Sequence, residues 1–405
     1  MNNLLPNLRH LRAFRAAAHA RSISRAAPLV HLSQPAITQA ISKLEERVGA
    51  ALFDRHADGV VVTDIGSMFL NRVERALAFL ERGAKAISKI TSGREGRPTA
   101  QFDQLMTVPQ LRALVSVSGA QNFSLAARQI GISQPSLHRA ARDLEQLAGV
   151  PLYQKSAQGI VLTDAGEKLV LQVKLAFAEL KQAYMEIEEK QGHDTGQIVV
   201  GSLPLARAHV LQKAINLLTE ALPDLQVRVI DGPYGDLLHG LRHGEIDVMI
   251  GALRYPAPIE DITQTPLFSA SLSVIARQGH PLAEKSRITS ADLAAFPWVV
   301  PRQDTPTRAY FDSLFPDPDQ RPRNIVESSS LVLIRGLLLD TDRLTLLSAH
   351  QIKAEREFDM LTRLAFDTRD TERDIGLTCR SDWQPTSNQQ TFMDFLRAAS
   401  TPADP

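Results

Sequence analysis

Thr38, Gln39, Ser42 and Lys43 carry hydroxyl, amide and ammonium groups of the sizes that reach base edges and phosphates. With Pro35 they fall on one side of a helix of 3.6 residues per turn, while Ile37, Ile41, Leu44 and Val48 recur along the other. Ser33 is a natural N-cap and Pro35 sits in the first turn, where a missing N–H is no loss, so Ser33-Gln34-Pro35-Ala36 predicts a helix start. The pattern returns 100 residues later. Ser133-Gln134-Pro135-Ser136 opens a second helix whose polar face holds His138, Arg139, Arg142 and Asp143. In both, one face packs and the other offers donors and acceptors to a nucleic acid.

A helix of this kind standing alone reads as an ordinary amphipathic surface helix; its neighbours give it the other meaning. Upstream, Leu11-Arg12-Ala13-Phe14 and Ser24-Arg25-Ala26-Ala27 mark a first helix and a short second one, with small residues where a helix-turn-helix needs close packing. Downstream, Leu52 to Thr63 alternates around the turn dipeptide Asp58-Gly59, predicting a hairpin that holds Arg55 and His56 toward phosphate. Lys155 holds the place of Arg55 in the second copy.

Ala26-Ala27, Ser33-Gln34-Pro35, Lys43-Leu44-Glu45, Gly49, Leu52-Phe53 and Thr63-Asp64-Ile65-Gly66 together resemble the winged helix-turn-helix of LysR-type transcriptional regulators. Ala126-Ala127, Ser133-Gln134-Pro135, Asp143-Leu144-Glu145, Gly149, Leu152-Tyr153 and Thr163-Asp164-Ala165-Gly166 repeat the set. The two copies align without a gap, Leu11 onto Leu111 and Gly66 onto Gly166, with about a third of positions identical, which suggests tandem duplication. The family usually has one such domain, so subunit count and operator layout do not carry over simply. Pro28 stands where the family has a helix former and predicts a shortened or reoriented second helix in the first copy; Arg128 avoids this in the second.

Two long helical stretches follow the hairpins. Phe69, Val73, Leu77, Leu80, Ala84, Ile87 and Ile90 keep a three-and-four spacing, as do Leu169, Val173, Phe177, Leu180, Tyr184 and Ile187, which fits a helix-helix seam. In the resembled family this helix pairs two subunits. Here the two copies could equally pair within one chain, and the sequence leaves both arrangements open. Gly93, Gly96 and Pro98 break the first helix into a linker and Gly192 to Gly196 break the second. The expected domains are residues 1–95, 96–194 and 195–400.

From Gln197 short apolar strands (Ile198 to Gly201, Val227 to Ile230, Ile246 to Ile250) alternate with helical stretches at Ala206 to Leu222 and Tyr234 to His243, which implies a parallel sheet. A second set follows, with strands at Leu272 to Ala276, Trp298 to Val300, Ile325 to Glu327 and Leu344 to Leu347. The chain then returns through Ile375 to Thr378, giving two lobes and a hinge. Gly232-Pro233-Tyr234, Gly244-Glu245-Ile246-Asp247, Gly279-His280-Pro281-Leu282 and Trp298-Val299-Val300-Pro301 carry a looser likeness to the effector-binding domain of the same family. Asp247 is read as capping a strand, and His209 and His280 as surface or loop residues. The expected fold class is α+β and multidomain: two α-rich winged helix-turn-helix domains followed by a two-lobed α/β domain like the periplasmic binding proteins.

Ligands of open α/β sheets sit beyond the carboxyl ends of the strands. Those ends hold Ser202, Leu203 and Pro204, then Gly251 and Ala252, Pro301 through Thr305, and Ser329. With Arg207, Arg254 or Arg308 nearby, they suit a small carboxylate or a sugar-like molecule. Each of these residues taken singly also fits a helix cap or a surface charge.

The chain has 405 residues with 45 basic and 45 acidic side chains, and these are unevenly placed. Residues 1–97 carry 15 basic against 8 acidic, 98–196 carry 9 against 10, and the remainder 21 against 27. A basic N-terminal part is the electrostatic footprint of a nucleic-acid contact. Cys379 is the one cysteine, so neither a disulfide within the chain nor a cysteine-based metal site is expected. No export signal and no apolar run of membrane-spanning length is read, and a cytoplasmic location is expected.

Three function classes compete. A ligand-responsive DNA-binding regulator accounts for the repeat, the hairpins, the charge split and the lobes together. A solute-binding protein accounts only for the lobes. An enzyme would need a nucleophile elbow, a phosphate-cradling glycine loop or a metal-spaced histidine set, and none is read. The reading is therefore a regulator with no catalytic residue, metal or cofactor. Its expected partners are double-stranded promoter DNA, a small effector, further copies of itself as a dimer or tetramer, and RNA polymerase, with no membrane. The alternative within this class gives DNA binding to the first copy alone and dimerisation to the second.

Overall fold

The computed structural model describes residues 5–57, 59–91, 101–157, 159–193, 195–204, 210–303 and 305–400. They divide into two compact units that part between Gly196 and Gln197, the short segment Arg242–Glu245 grouping with the first. The turn residue Asp58, the linker residues Gly93, Gly96 and Pro98, Asp194, and the segment holding Ala206, Arg207 and His209 lie outside the described residues.

In the first unit α1 (Leu8–Ala20), α2 (Ile23–Ala26) and α3 (Gln34–Val48) form the first helix-turn-helix, β1 (Phe53–His56) and β2 (Gly59–Val62) its hairpin, and α4 (Asp64–Thr91) the long helix. After the short α5 (Phe102–Leu105) the same order returns as α6 (Val108–Ala120), α7 (Phe123–Ile130), α8 (Gln134–Ala148), β3 (Tyr153–Ser156), β4 (Gly159–Leu162) and α9 (Asp164–Lys190). Ser33 and Ser133 cap α3 and α8 by accepting from the backbone N–H of Ala36 and Ser136, and Gly49 and Gly149 end them in the left-handed conformation. Pro28 acts as its chemistry requires: α2 stops at Ala26 and a 3₁₀ turn carries Pro28–Val30, whereas α7 runs through Arg128 to Ile130. Thr63 and Thr163 explain the Thr-Asp-x-Gly motif. Each hydroxyl accepts from the N–H three residues on, at Gly66 or Gly166, and a Cβ on either glycine would lie 2.1 or 2.2 Å from the carbonyl oxygen of Leu52 or Leu152.

The seam closes inside the chain. α4 and α9 pack antiparallel, with Phe69 edge-on to Tyr184 near one end and Gly83 against Leu169 and Gln172 near the other. One apolar core runs from Leu8 and Phe14 through Phe69, Val73 and Leu80 to Leu169, Val173 and Ile187, so the two copies share an interior. An ion cluster is set into it. Arg72 is 1 % exposed, donates to Glu179 Oε2 (2.9 Å) and Gln182 Oε1 (3.1 Å), and bonds Glu186 as well; Arg75 donates to Glu179 Oε1 (2.8 Å). Burial alone would lower the pKa of Arg72, but the bonds to Glu186 and Glu179 outweigh it and hold the guanidinium above its ordinary value.

The second unit has two lobes. In the first, β5 (Gln197–Ser202), α10 (Val210–Ala221), β6 (Gln226–Asp231), α11 (Tyr234–Arg242), β7 (Val248–Ala252) and β8 (Ile262–Ala270) come in order, and β14 (Arg373–Arg380) and α16 (Ser387–Ser400) return to it at the chain's end. The sheet order is β6-β5-β7-β14-β8. Only β6, β5 and β7 are parallel, because β14 re-enters from the other lobe and runs against both β7 and β8. The parallel pairing expected from the alternation of Ile198 to Gly201, Val227 to Ile230 and Ile246 to Ile250 is present in β5, β6 and β7, and the antiparallel β14 and β8 extend the sheet. The second lobe holds β9 (Leu272–Arg277), α12 (Ser290–Ala294), β10 (Trp298–Val300), α13 (Pro306–Leu314), β11 (Ile325–Glu327), α14 (Leu331–Asp340), β12 (Thr345–Ser348), α15 (Lys353–Glu357) and β13 (Leu361–Arg363). β10 and β11 pair in parallel, β12 and β13 flank β9 antiparallel, and a Trp298–Leu344 bridge joins the two sets.

The chain crosses between lobes at residue 271 and again between 364 and 372, and the crossings are tied together. Leu272 N–H donates to Thr371 Oγ1 (2.9 Å), Thr368 Oγ1 donates to the Leu272 carbonyl (2.6 Å), and both threonines are buried. Asp247 caps as read, its Oδ2 accepting from Val199 N–H at 2.8 Å. His280 lies in a loop, as read, but is buried rather than at the surface: it packs against Phe296, its Nδ1 accepts from Leu282 N–H (3.1 Å), and Nε2 lies 3.2 Å from the Asp342 carbonyl oxygen.

This packing has measurable consequences at two sites. Arg72→Ala takes Glu186 and one oxygen of Glu179 from their guanidinium, leaving Glu179 to Arg75, and costs about 3–5 kcal/mol, read as an earlier helical transition in urea, while Lys168→Ala, at an exposed pair with Asp164, leaves the curve unmoved. Burial lowers the pKa of His280, so the fold holds it neutral. Its contribution is present above the ordinary histidine range of about 6.5 and is lost as pH falls below it. The thermal midpoint of the second unit therefore drops between about pH 7 and pH 5, and His280→Gln flattens that dependence.

Candidate functional site

Two surfaces hold the residues singled out by chemistry. On α3, Ser33, Gln34, Pro35, Gln39, Ser42 and Lys43 are exposed and Ala36 and Thr38 half-buried; on the hairpin Arg55 is exposed. On α8, Ser133, Gln134, Pro135, Ser136, Arg139 and Arg142 are exposed, His138 is half-buried, and Lys155 is exposed on β3. The backs are fully engaged: Ile37, Ile41, Leu44 and Val48 in one copy and Leu137, Ala141, Leu144 and Ala148 in the other. Several polar groups are held for presentation. Thr38 Oγ1 donates to the Gln34 carbonyl (3.1 Å), Gln134 Oε1 accepts from Ser124 (2.8 Å), and the His138 ring stacks on Phe123 with centroids 4.0 Å apart.

Glu45 and Glu145, quoted above only as motif letters, fix the hairpin to the reading helix. Each Oε1 accepts from the backbone N–H seven residues on, Leu52 at 2.9 Å and Leu152 at 2.8 Å. A second tie runs from Val60 N–H to the Arg21 carbonyl (3.2 Å) and from Ile160 N–H to that of Gln121 (2.8 Å). Arg55 and Lys155 are thereby carried on a hairpin of fixed position relative to α3 and α8.

In the second unit a cleft of 1630 Å³ opens between the lobes. Leu203, Pro204, Ala252, Arg254, Pro301, Thr305 and Ser329 line it, and three other expected residues do not. Ser202 is fully buried at the end of β5 with its hydroxyl toward the Leu203 carbonyl, and Gly251 is packed so closely on Leu203 that a Cβ would meet that side chain at 2.5 Å. Arg308 is spent on Asp312 (3.3 Å), Glu327 (3.1 Å) and the Pro301 carbonyl. Arg207 lies outside the described residues. Thr305 is occupied as the cap of α13, accepting from Arg308 N–H. Arg254 lies 3.5 Å from the centroid of the Tyr234 ring.

Among the lining residues that escaped the sequence are Tyr234, read only as part of Gly232-Pro233-Tyr234, and Tyr310, Gln351 and Arg373. Tyr234 Oη is shielded from solvent with no hydrogen-bond partner among the described residues. Arg373 is half-buried, burial lowers its pKa, no carboxylate pairs with it among the described residues, and its one bond there runs from Nε to the Thr371 carbonyl (3.5 Å). A cation at the head of a returning strand has no local sequence signal.

The family description "Bacterial regulatory helix-turn-helix protein, lysR family" matches twice, at residues 8–67 and 108–167, and "LysR substrate binding domain" matches residues 191–401. The chain belongs to the LysR family of transcriptional regulators. This LysR-family chain is 34% identical over 398 residues to the HTH-type transcriptional regulator GalR of Pseudomonas putida, covering 98% of both, so the likeness extends through both winged copies. It is 27% identical over 299 residues to the uncharacterized regulator YdcI of Escherichia coli, covering 73% of this chain but 96% of that one, which leaves that relative no room for a second copy. A full-length OxyR variant from Pseudomonas aeruginosa shares the fold, with a TM-score of 0.55 at 24% identity over 74% of this chain and 99% of that one. The LysR-family chain is thus a ligand-responsive, DNA-binding transcriptional regulator. No described helix is long and apolar enough to cross a membrane.

Proposed function

We propose that this regulator senses a small carboxylate in the cleft and that both reading helices contact promoter DNA. The cleft reading is carried by Arg373: a half-buried guanidinium without a carboxylate partner is costly unless an anion completes it. Arg254, Ser329 and Tyr234 supply further donors around it, and Leu331, Ile334, Leu346 and Leu347 an apolar bed for the rest of the ligand. Arg373 also lies two residues beyond Thr371, at the end of the tied crossing, so an anion held there bears on the hinge. A ligand that favours one lobe arrangement then shifts DNA bending or contact with RNA polymerase. The working parts are residues 1–95 and 96–194 for reading and 195–400 for sensing. The chain acts in the cytoplasm by binding, not catalysis; Cys379, its thiol pushed up to about 12 by burial, is no nucleophile.

Support for two DNA contacts comes from the like presentation of α3 and α8 and from the exposed cations Arg139, Arg142 and Lys155 on the second copy. Half-sites about 34–36 Å apart, or multiples of that, suit such pairs. Calorimetric titration with a panel of small carboxylic acids and neutral sugars tests the cleft. An acid is expected to bind, Arg373→Ala to weaken it by about 10- to 100-fold, and Arg373→Lys to restore part of the loss. Binding by sugars alone, or unchanged affinity in Arg373→Ala, overturns the reading. For DNA, Arg139→Ala with Arg142→Ala is expected to shrink the slope of log affinity against log salt by up to about 1.8; an unchanged slope and footprint removes the second copy from the duplex.

A further inference from the structure

The seam between α4 and α9 has a pseudo-twofold arrangement. Phe69 meets Tyr184, Arg72 meets Gln182, and Gly83 meets Leu169 and Gln172, so the dyad passes near Leu77 and Phe177. The ion cluster breaks that symmetry. One hundred residues on from Arg72 stands Gln172, and one hundred back from Glu179, Gln182 and Glu186 stand Phe79, Arg82 and Ala86. A pair of two α4 helices would set Arg72 against Phe79 and Arg82, and a pair of two α9 helices would bury Glu179 and Glu186 with no cation opposite. Either like pair leaves buried charge uncompensated, so the chemistry selects the unlike pair.

The helices held by that seam differ as well. The first presents Thr38, Gln39 and Ser42 where the second presents His138, Arg139 and Arg142. An amide side chain pairs bidentately with adenine N6 and N7, whereas a guanidinium pairs with guanine O6 and N7. His138 is further fixed by its stack on Phe123, whose place in the first copy is held by the aliphatic Ile23. Homodimers present identical heads and therefore read inverted repeats.

We infer that a single chain is a complete but asymmetric reading unit, and that its operator consists of two unlike half-sites: one read by α3 with an adenine at the Gln39 position, the other by α8 with guanine at the Arg139 or Arg142 position. This rests on the proposal above that both helices contact DNA. The test is selection from a random duplex library with the purified full-length chain, followed by anisotropy titrations on the selected duplex and on two symmetrised duplexes, each an inverted repeat of one half. Unlike halves in the selected consensus are expected, with the selected duplex bound about ten-fold or more tighter than either inverted repeat. Arg139→Gln or Arg142→Gln is expected to relax guanine preference in one half only, and Gln39→Ala to relax the other only. An inverted-repeat consensus, or a variant that alters both halves alike, overturns the inference while leaving DNA reading by both copies intact. A single half-site overturns it together with the two-contact reading, and no enrichment at all removes DNA reading altogether. Arg72→Glu, which sets a carboxylate against Glu179 and Glu186, is expected to abolish the preference for fixed half-site spacing; retention of that spacing in a variant folded by circular dichroism also counts against the unlike seam.

Discussion

A guanidinium taken out of water must find its countercharges inside the protein, and Arg72 finds them on a helix more than one hundred residues away. That requirement fixes which helices lie together, in which direction and in which register. Apolar stripes on α4 and α9 would tolerate several sliding positions, since leucine on leucine is nearly indifferent to a shift of one turn. The fork of Arg72 between Glu179, Gln182 and Glu186 is not indifferent. The shared core from Leu8 to Ile187 then follows, and with it the placement of both winged copies in one compact unit.

The reading helices inherit their usefulness from this arrangement. Each is held by its apolar back, its serine cap and the glutamate tie to its hairpin, so that the outward residues are presented by elements that do not have to be ordered at the moment of contact. The caps and glutamate ties are duplicated, as are the exposed Ser33-Gln34-Pro35 and Ser133-Gln134-Pro135, while the outward residues one turn on are not. Divergence falls on exposed positions such as Gln39 and Arg139 and on buried ones such as Ile41 and Ala141, whereas Leu44 and Leu144 are both buried and identical.

Much of this was legible in the residues because the deciding interactions are local. Caps, the Pro28 break, the hairpin and the strand-helix alternation each depend on residues within a turn or two. The seam was legible as a seam but not as an intrachain one, since helical periodicity describes a face and not its partner. β8 was missed because Pro266 interrupts its alternation. The strand lies at the sheet edge and pairs with β14 across a register shift at Ile375 and Gly376, where a missing N–H is tolerated. In the cleft, the serine and glycine expected at strand ends were drawn into packing, and the residue best suited to an anion, Arg373, comes from a strand that only the chain's return brings there.

The proposed sensing site adjoins the crossings between the lobes. Leu272, Thr368 and Thr371 bind the two crossings to each other by buried hydrogen bonds. Arg373 leaves the knot directly into the cleft, and its charge is met by no carboxylate among the described residues. Under the proposed reading, a ligand anion there shares its lobe with Arg254 and Tyr234 and gains most when Ser329 of the other lobe comes close enough to bond it as well. The differential affinity that the proposed sensing needs to shift a two-state equilibrium then comes from the second lobe, whose donors add to those of the first only when the lobes close.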